Sequence, residues 1–469
     1  MATFTLKEIA EATGGTLLGD AGAVAHGVST DSRQVAAGQL FVALRGDRFD
    51  GHEFVAAAAE KGVAIFLVDD SWAALHELPA GCSAVVVPDT LRGLGDLAAW
   101  HRRRFKIKVV AVTGSNGKTT TKEMLAGILT PTGPGIKTEG NLNNLIGLPL
   151  TLLRLSGRER WAVVEMGMSD FGEIDRLAEI ADPDVGIITN AFPAHLENLG
   201  SVEGVARAKG ELFLRLKPGS VAVYNVDDPL VSKCPTHLNV TRLTFGLRGA
   251  EVSSASIKSL GKLGESFLLR LPNGEQQITL KAFGQHNIYN ALAAAAAAYS
   301  LGLSGEVIRA GLEEFTPYDK RFQLEEVGGV VLIDDSYNAN PASMAAALRT
   351  LKEVRGEGRA AAALGDMLEL GTGTEQAHRE LGKLAAGCVE RLYLLGDLAG
   401  EVAKGALEGG LAPDNVVVAR DHEEIATALT GWLETGDCAL FKGSRGMRME
   451  LVARAVRAAL TSSSKGGHH

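Results

Sequence analysis

The sequence predicts an α/β protein of three domains: a small N-terminal α/β domain, a central P-loop domain with a mostly parallel sheet, and a C-terminal Rossmann-like domain. Three observations carry this reading. A chain of 469 residues is too long for a single hydrophobic core. Short apolar runs alternate with helical patterns, as buried parallel strands and their crossover helices require. One Gly-rich loop lies between such a run and a helix, the setting of a phosphate-binding loop.

Taken in order, residues 1–84 contain a helix at 6–13, a strand at 40–44, a helix at 53–61 and a strand at 63–68. Residues 85–315 form the second section, with apolar runs at 85–87, 108–113, 161–166 and 185–189 and an alanine-rich helix at 287–300. Alanine is the strongest helix former, so that run needs no other explanation. Residues 316–461 repeat βα units, with strands expected at 330–333, 360–364, 391–395, 415–418 and 438–441. Such alternation implies doubly wound sheets covered by helices. Residues 462–469 (SSSKGGHH) read as a linker and tag remnant.

An apolar fraction of 46% and a charged fraction of 22% are ordinary for a globular protein. No apolar run approaches the roughly 20 residues that span a bilayer, and Lys7, Glu8 and Glu11 interrupt what a signal peptide would keep apolar. The four cysteines match no disulfide or metal spacing, which fits a reducing, cytoplasmic compartment. A net charge of −9 argues against nucleic-acid or membrane partners held by a basic field.

The strongest chemical signal is Thr113-Gly114-Ser115-Asn116-Gly117-Lys118-Thr119-Thr120, between the run at 108–112 and a helix ending near Thr130-Pro131. Glycines let backbone N–H groups close around phosphates, the helix N-terminus adds partial positive charge, and Lys118 reaches the terminal phosphates. Thr119 would place its hydroxyl on Mg²⁺. The loop is shorter than the usual G-x-x-x-x-G-K-[ST], since Gly114 lies only three residues before Gly117.

A second signal is a lysine out of place. In residues 201–216, Val202, Val205, Ala206, Leu212, Phe213 and Leu216 share one helical stripe, and Lys209 falls in its middle. Either the ammonium is buried and must lose or pair its charge, or the side chain snorkels to the surface. Third, Glu165 closes one central strand and His195 follows another. Ligands of open α/β sheets gather beyond such strand ends. Each residue is open to a plainer reading, as a strand-end carboxylate or a hydrogen-bonded loop histidine.

These segments resemble the Mur ligase family. The loop at 114–120, Glu165-Met166-Gly167, His195-Leu196-Glu197 with Ala208-Lys209, and Gly284-Gln285-His286-Asn287 with Asn290 follow one another as in that family. Related folylpolyglutamate synthetases share the same short loop. The segments 139–149 (EGNLNNLIGLP), 334–341 (DDSYNANP), 364–371 (LGDMLELG) and 442–445 (KGSR) are most similar to members that add D-alanyl-D-alanine to UDP-N-acetylmuramoyl-tripeptide.

The resemblance implies an ATP-dependent amide-bond ligase that acts through an acyl phosphate and uses two Mg²⁺ ions. It expects Lys209 to be carbamylated and to share metal binding with Glu165, His195 and Thr119. Besides Gly114, Ser115, Asn116, Gly117, Lys118, Thr119 and Thr120, the nucleotide would meet Asn287 and Asn290 at adenine, Asp335 at ribose and Arg321 at the terminal phosphate. Ser29, Thr30, Ser32, Arg33 and Arg45 would meet the uridine diphosphate, and Asn141 and Asn144 the muramoyl peptide. Asn338, Asn340 and Arg445 would position the dipeptide. A monomer is expected. The alternatives are a diamino-acid-adding relative, although its Asp-Asn-Pro-Arg box is absent here, and a P-loop NTPase switch, which would gain nothing from Lys209.

Overall fold

The computed structural model describes residues 2–46, 49–317 and 320–465, and in it strands and helices alternate to build three larger sheets. The first has five strands in the order Thr16–Leu18, Ser83–Val87, Ile65–Asp69, Leu40–Val42 and Val28–Ser29. Its pairings are parallel except at the first strand. The apolar run at 85–87, grouped above with the central strands, thus belongs to this sheet. The helix expected at 53–61 is split into a 3₁₀ turn, Gly51–Phe54, and an α-helix, Val55–Glu60.

The central sheet has nine strands. Seven run parallel, from Val252–Ser259 through Thr241–Gly246, Val221–Asn225, Val185–Ile188, Lys108–Thr113 and Trp161–Glu165 to Gly135–Lys137. An antiparallel pair, Glu265–Leu271 and Gly274–Leu280, extends it at one edge. Leu271 faces Gly274 in register, leaving Pro272 and Asn273 as the turn. This pair alternates buried and exposed residues, as an antiparallel edge with one wet face does. The alanine-rich helix Gln285–Ser300 is buried along most of its length. Its small side chains let it lie close to the sheet and to the helix Lys118–Leu129.

The third sheet has six strands, ordered Gln323–Val327, Val330–Asp334, Cys438–Lys442, Ala360–Gly365, Arg391–Leu395 and Val416–Val418, parallel but for the first. The chain leaves Val330–Asp334, skips a place and later fills it with Cys438–Lys442. The resulting crevice lies at the carboxyl ends that carry Asp335 and Asp366. The three-domain α/β architecture expected from the sequence is therefore present.

The first two units share one hydrophobic core. Leu67, Val85 and Val87 of the first sheet, Leu94, Leu97 and Ala98 of the helix Thr90–Arg103, and Val109, Ala111 and Leu148 of the central unit belong to it. The third sheet packs both faces mainly with its own residues. The last helix, Glu450–Lys465, runs on through the first residues of the expected linker; residues 466–469 lie outside the described residues. All four cysteines are free. Among the described residues no helix is long and apolar enough to cross a membrane.

Arg102 ties the shared core together. Buried at the end of its helix, it donates to the carbonyls of Ala181 at 3.0 Å, Phe105 at 3.1 Å and Asp182 at 3.2 Å. Replacing it leaves buried acceptors without donors, at a cost of about 1–3 kcal/mol each. Arg102→Met is expected to lower the urea midpoint of unfolding clearly. The exposed neighbour, in Arg103→Met, should leave it within error.

Candidate active site

The phosphate loop begins where Lys108–Thr113 ends. Gly114 (φ 151°) and Gly117 (φ 83°) hold backbone conformations open to glycine. A Cβ at either would collide, with the hydroxyl of Thr189 or the side-chain oxygen of Asn290. The neighbouring strand end clamps the loop. Ser115 N–H donates to Asn190 O at 3.0 Å, Asn116 N–H to Asn190 Oδ1 at 2.8 Å, and Thr189 Oγ1 to Asn116 O at 2.6 Å. The helix Lys118–Leu129 that follows has no side-chain cap, so its first N–H groups point outward at the positive end of the helix dipole. Lys118 folds back, its Nζ donating to Gly114 O at 2.8 Å.

Beside the loop, Glu165 is buried at its strand end. Its oxygens accept from Thr119 Oγ1 at 2.7 Å and Asn143 Nδ2 at 2.8 Å, while its N–H donates to Thr138 Oγ1 at 2.9 Å. Thr138 is held in turn by the fully buried Lys122, whose Nζ donates to its carbonyl at 2.6 Å.

Lys209 lies on the helix Val202–Arg215, capped by Ser201, and is only 3% exposed. The structure thus decides between the two sequence readings in favour of burial. Loss of water and the nearby charge of Lys118 hold its amine well below the ordinary lysine range. His195 lies close to both lysines. Burial lowers the pKa of its imidazole, Glu369 opposes that shift, and the two lysines reinforce it.

The third domain reaches this cluster twice. Asn340, which caps the helix Pro341–Val354, exchanges side-chain hydrogen bonds with Asn116 of the loop, at 2.7 and 3.2 Å. Glu369 Oε2 lies 3.0 Å from His195 Nδ1. Arg321 stacks on Tyr337, 4.0 Å from the ring centre, and its buried Nε finds no hydrogen-bond partner among the described residues. Its charge acts on Lys118, placing it beside the loop. Asp335 pairs with the buried Lys442 at 2.6 Å and accepts from Phe322 N–H at 3.1 Å. Strained backbone gathers here: of seven described non-glycine residues with positive φ, His195, Lys320, Phe322 and Glu369 belong to this region, and such strain marks functional sites.

Other anticipated residues are arranged differently. Asn287 and Asn290 sit buried at the start of the alanine-rich helix, where Asn290 Nδ2 donates to Asn287 Oδ1 at 3.0 Å and Asn287 Nδ2 to Phe283 O at 2.8 Å. Asn141 is exposed, and Asn144 Oδ1 accepts from Gly147 N–H at 2.9 Å. The residue between them in sequence that touches Glu165 is Asn143, which sequence reading passed over although it sits in the quoted segment. Glu369, Lys442 and His286 were likewise quoted within segments but given no role. Burial pushes His286 down to about 4.

Asn338 is exposed, with its carbonyl taken by Lys442 at 2.9 Å, and Arg445 pairs with Glu450 at 3.2 Å. In the first domain Ser29 and Asp31 form a turn that Arg33 closes with a two-pronged pair at 2.9 and 2.8 Å. Ser32 offers its carbonyl to Lys61 at 2.6 Å, and Thr30 is half-buried beside it. Arg45 is held by Asp69 at 2.9 Å and Asp50 at 3.3 Å. None of the hydrogen bonds named for these residues joins them to the phosphate-loop cluster.

Comparison with known proteins follows the same three units. Family models match at residues 24–102 (Mur ligase family, catalytic domain), 112–298 (Mur ligase middle domain) and 320–445 (Mur ligase, glutamate ligase domain). The UDP-N-acetylmuramoyl-tripeptide–D-alanyl-D-alanine ligase of Bacillus subtilis is 38% identical over 457 residues, 96% of this chain and 97% of its own. A crystal structure of MurF from Acinetobacter baumannii superposes with a TM-score of 0.90 at 33% identity, covering 98% of this chain and 99% of that one. MurF ligase from Thermotoga maritima in complex with ADP gives 0.83 at 29% identity, covering 93% and 98%.

Lys209 makes a stability prediction. Between its depressed native pKa and the ordinary lysine value, the unfolded chain binds a proton that the native one does not, so stability rises with pH across that window. In carbon-dioxide-free buffer, Lys209→Met should raise the thermal midpoint at pH 7 and flatten its dependence up to about pH 10. A midpoint lowered by the substitution would show that the amine is well paired.

Proposed function

This chain belongs to the Mur ligase family, and from that premise we propose that it joins D-alanyl-D-alanine to UDP-N-acetylmuramoyl-tripeptide with consumption of ATP. The observation that carries this is similarity running end to end through all three domains to relatives that bear that name. The cytoplasmic stage of cell-wall synthesis is the corresponding setting.

Magnesium is the implied cofactor, and the donor set bears on whether it fits. Among the described residues no three His, Cys, Asp or Glu side chains form a ready-made metal cluster. With Lys209 as an ammonium, Glu165, Thr119 and His195 would face a cation of their own. With Lys209 as a carbamate the set becomes anionic and oxygen-rich, which suits Mg²⁺. The buried amine is disposed to that change, since only a neutral amine has the lone pair to attack the carbon of CO₂, after which nitrogen releases a proton. Two magnesium ions bound by Glu165, Thr119, His195 and the carbamate would neutralise charge on the phosphate oxygens.

The chain's own groups do the rest. The loop N–H groups and Lys118 grip the phosphates, Arg321 neutralises the terminal one, and Asn287, Asn290 and Asp335 hold the nucleoside. The side-chain amide of Asn290, bonded in this structure to Asn287, and that of Asn287, bonded to the Phe283 carbonyl, would have to turn toward adenine. In the first domain, Ser29, Thr30, Ser32, Arg33 and Arg45 take the uridine diphosphate, with Asn141 and Asn144 along the muramoyl peptide.

The tripeptide carboxylate then attacks the γ-phosphorus, ADP leaves, and the acyl phosphate so formed must be shielded from water by the third domain. The dipeptide amine, positioned by Asn338, Asn340 and Arg445, attacks the acyl carbon and phosphate departs. Holding three reactants together is what the three-domain cleft contributes.

The test is phosphate release with ATP, Mg²⁺ and UDP-N-acetylmuramoyl-tripeptide, with and without D-alanyl-D-alanine. Release that requires the dipeptide, with a product heavier by one such unit less water, is expected. Release indifferent to the dipeptide would overturn the assignment and point to another acceptor or to simple hydrolysis.

A further inference from the structure

His195 and Glu369 meet across two domains. His195 starts the short helix Leu196–Leu199 in a left-handed conformation, φ 52°. Glu369 follows the strand Ala360–Gly365 of the third sheet and is also left-handed, φ 63°. Neither is glycine, so each conformation is strained and persists only because its surroundings impose it.

Those surroundings are visible for Glu369. The preceding Met367 N–H donates to His378 Nε2 at 3.0 Å, and Leu368 N–H donates to Ser444 Oγ at 2.9 Å. The loop therefore presents the carboxylate from a fixed frame. The carboxylate itself is 65% exposed, and a surface ion pair contributes little to stability. Stability thus gives no reason to build two strained residues around it.

Geometry gives one. A neutral imidazole carries one N–H, and an acceptor 3.0 Å from Nδ1 holds the proton there, leaving the Nε2 lone pair free on the other side of the ring. We propose that Glu369 is the positioning residue for His195, fixing its tautomer and ring orientation, and that it does so only when the third domain is docked on the central one. Docking of that domain thereby completes the metal-binding set. The same domain touches the phosphate loop through Asn340 and Asn116, so one movement engages both halves of the site. This inference rests on the ligase reading, with His195 at the metal.

Three substitutions separate it from a structural role. Glu369→Ala removes the acceptor, and Glu369→Asp draws it back by one methylene. Both are expected to lower kcat by about 10- to 100-fold while the KM for ATP stays within about threefold. Glu369→Gln keeps an acceptor oxygen at the same reach and should recover most of the loss. In the His195→Ala background, Glu369→Ala should cost nothing more.

A readout independent of turnover is the imidazole ¹⁵N spectrum of the full-length protein, with His195 assigned by its absence from His195→Gln. The Nδ1–H form is expected in the wild type and in Glu369→Gln, and the Nε2–H form in Glu369→Ala. Unchanged kcat in Glu369→Ala, multiplicative losses in the double variant, or one tautomer throughout would each overturn the proposal. If the wild type fails to ligate, the functional reading falls, while the ¹⁵N comparison still decides whether Glu369 sets the ring.

Discussion

Two lysine amines share one poorly hydrated region, and that constraint organises the site. Lys118 keeps its place over the loop, with Glu165 as its nearby counter-charge. Lys209 is buried with that like charge near it, and among the described residues no carboxylate offsets it. Ammonium groups near one another repel more where water is scarce. The conflict is relieved if Lys209 gives up its proton, and removed if it becomes an anion. The apolar stripe of its helix, the position of that helix beside the central strand ends, and the neutral donors around Glu165 are intelligible on those terms.

The domains are joined in two different ways. A continuous hydrophobic core unites the first and central units through the helix Thr90–Arg103, a permanent connection by its chemistry. At the site, the third domain meets the central one mainly through polar contacts, the Asn116–Asn340 exchange and the His195–Glu369 pair, with a small apolar contact where Phe283 packs on Phe322. Polar contacts of that kind form and release with small changes in free energy. A ligase that must admit three reactants and then exclude water needs one fixed junction and one that opens.

Much of this was legible in the chain. The phosphate loop could be read because its function demands glycine at positive φ and a lysine at a helix start. Lys209 could be read because a charge in an apolar stripe breaks a period that packing enforces. What could not be read was long-range. The run at 85–87 carries no mark of which sheet its edges join. The strands Glu265–Leu271 and Gly274–Leu280 alternate in the manner of a half-wet edge, a weaker signal than the continuous runs that drew attention. Within Asn141 to Asn144, composition alone cannot say which amide faces Glu165, because that depends on the path of the turn. Glu369 meets its partner across a domain boundary, and no local pattern announces such a contact.

The proposed ligase chemistry requires Lys209 to become an anion. Carbon-13 NMR of the full-length protein in ¹³C-bicarbonate buffer with Mg²⁺ tests it most directly. A protein-bound carbamate resonance is expected in the wild type and is lost in Lys209→Arg, whose guanidinium cannot form one. Absence of the resonance from the wild type, or its survival in the arginine variant, would show that Lys209 is not the carbamate.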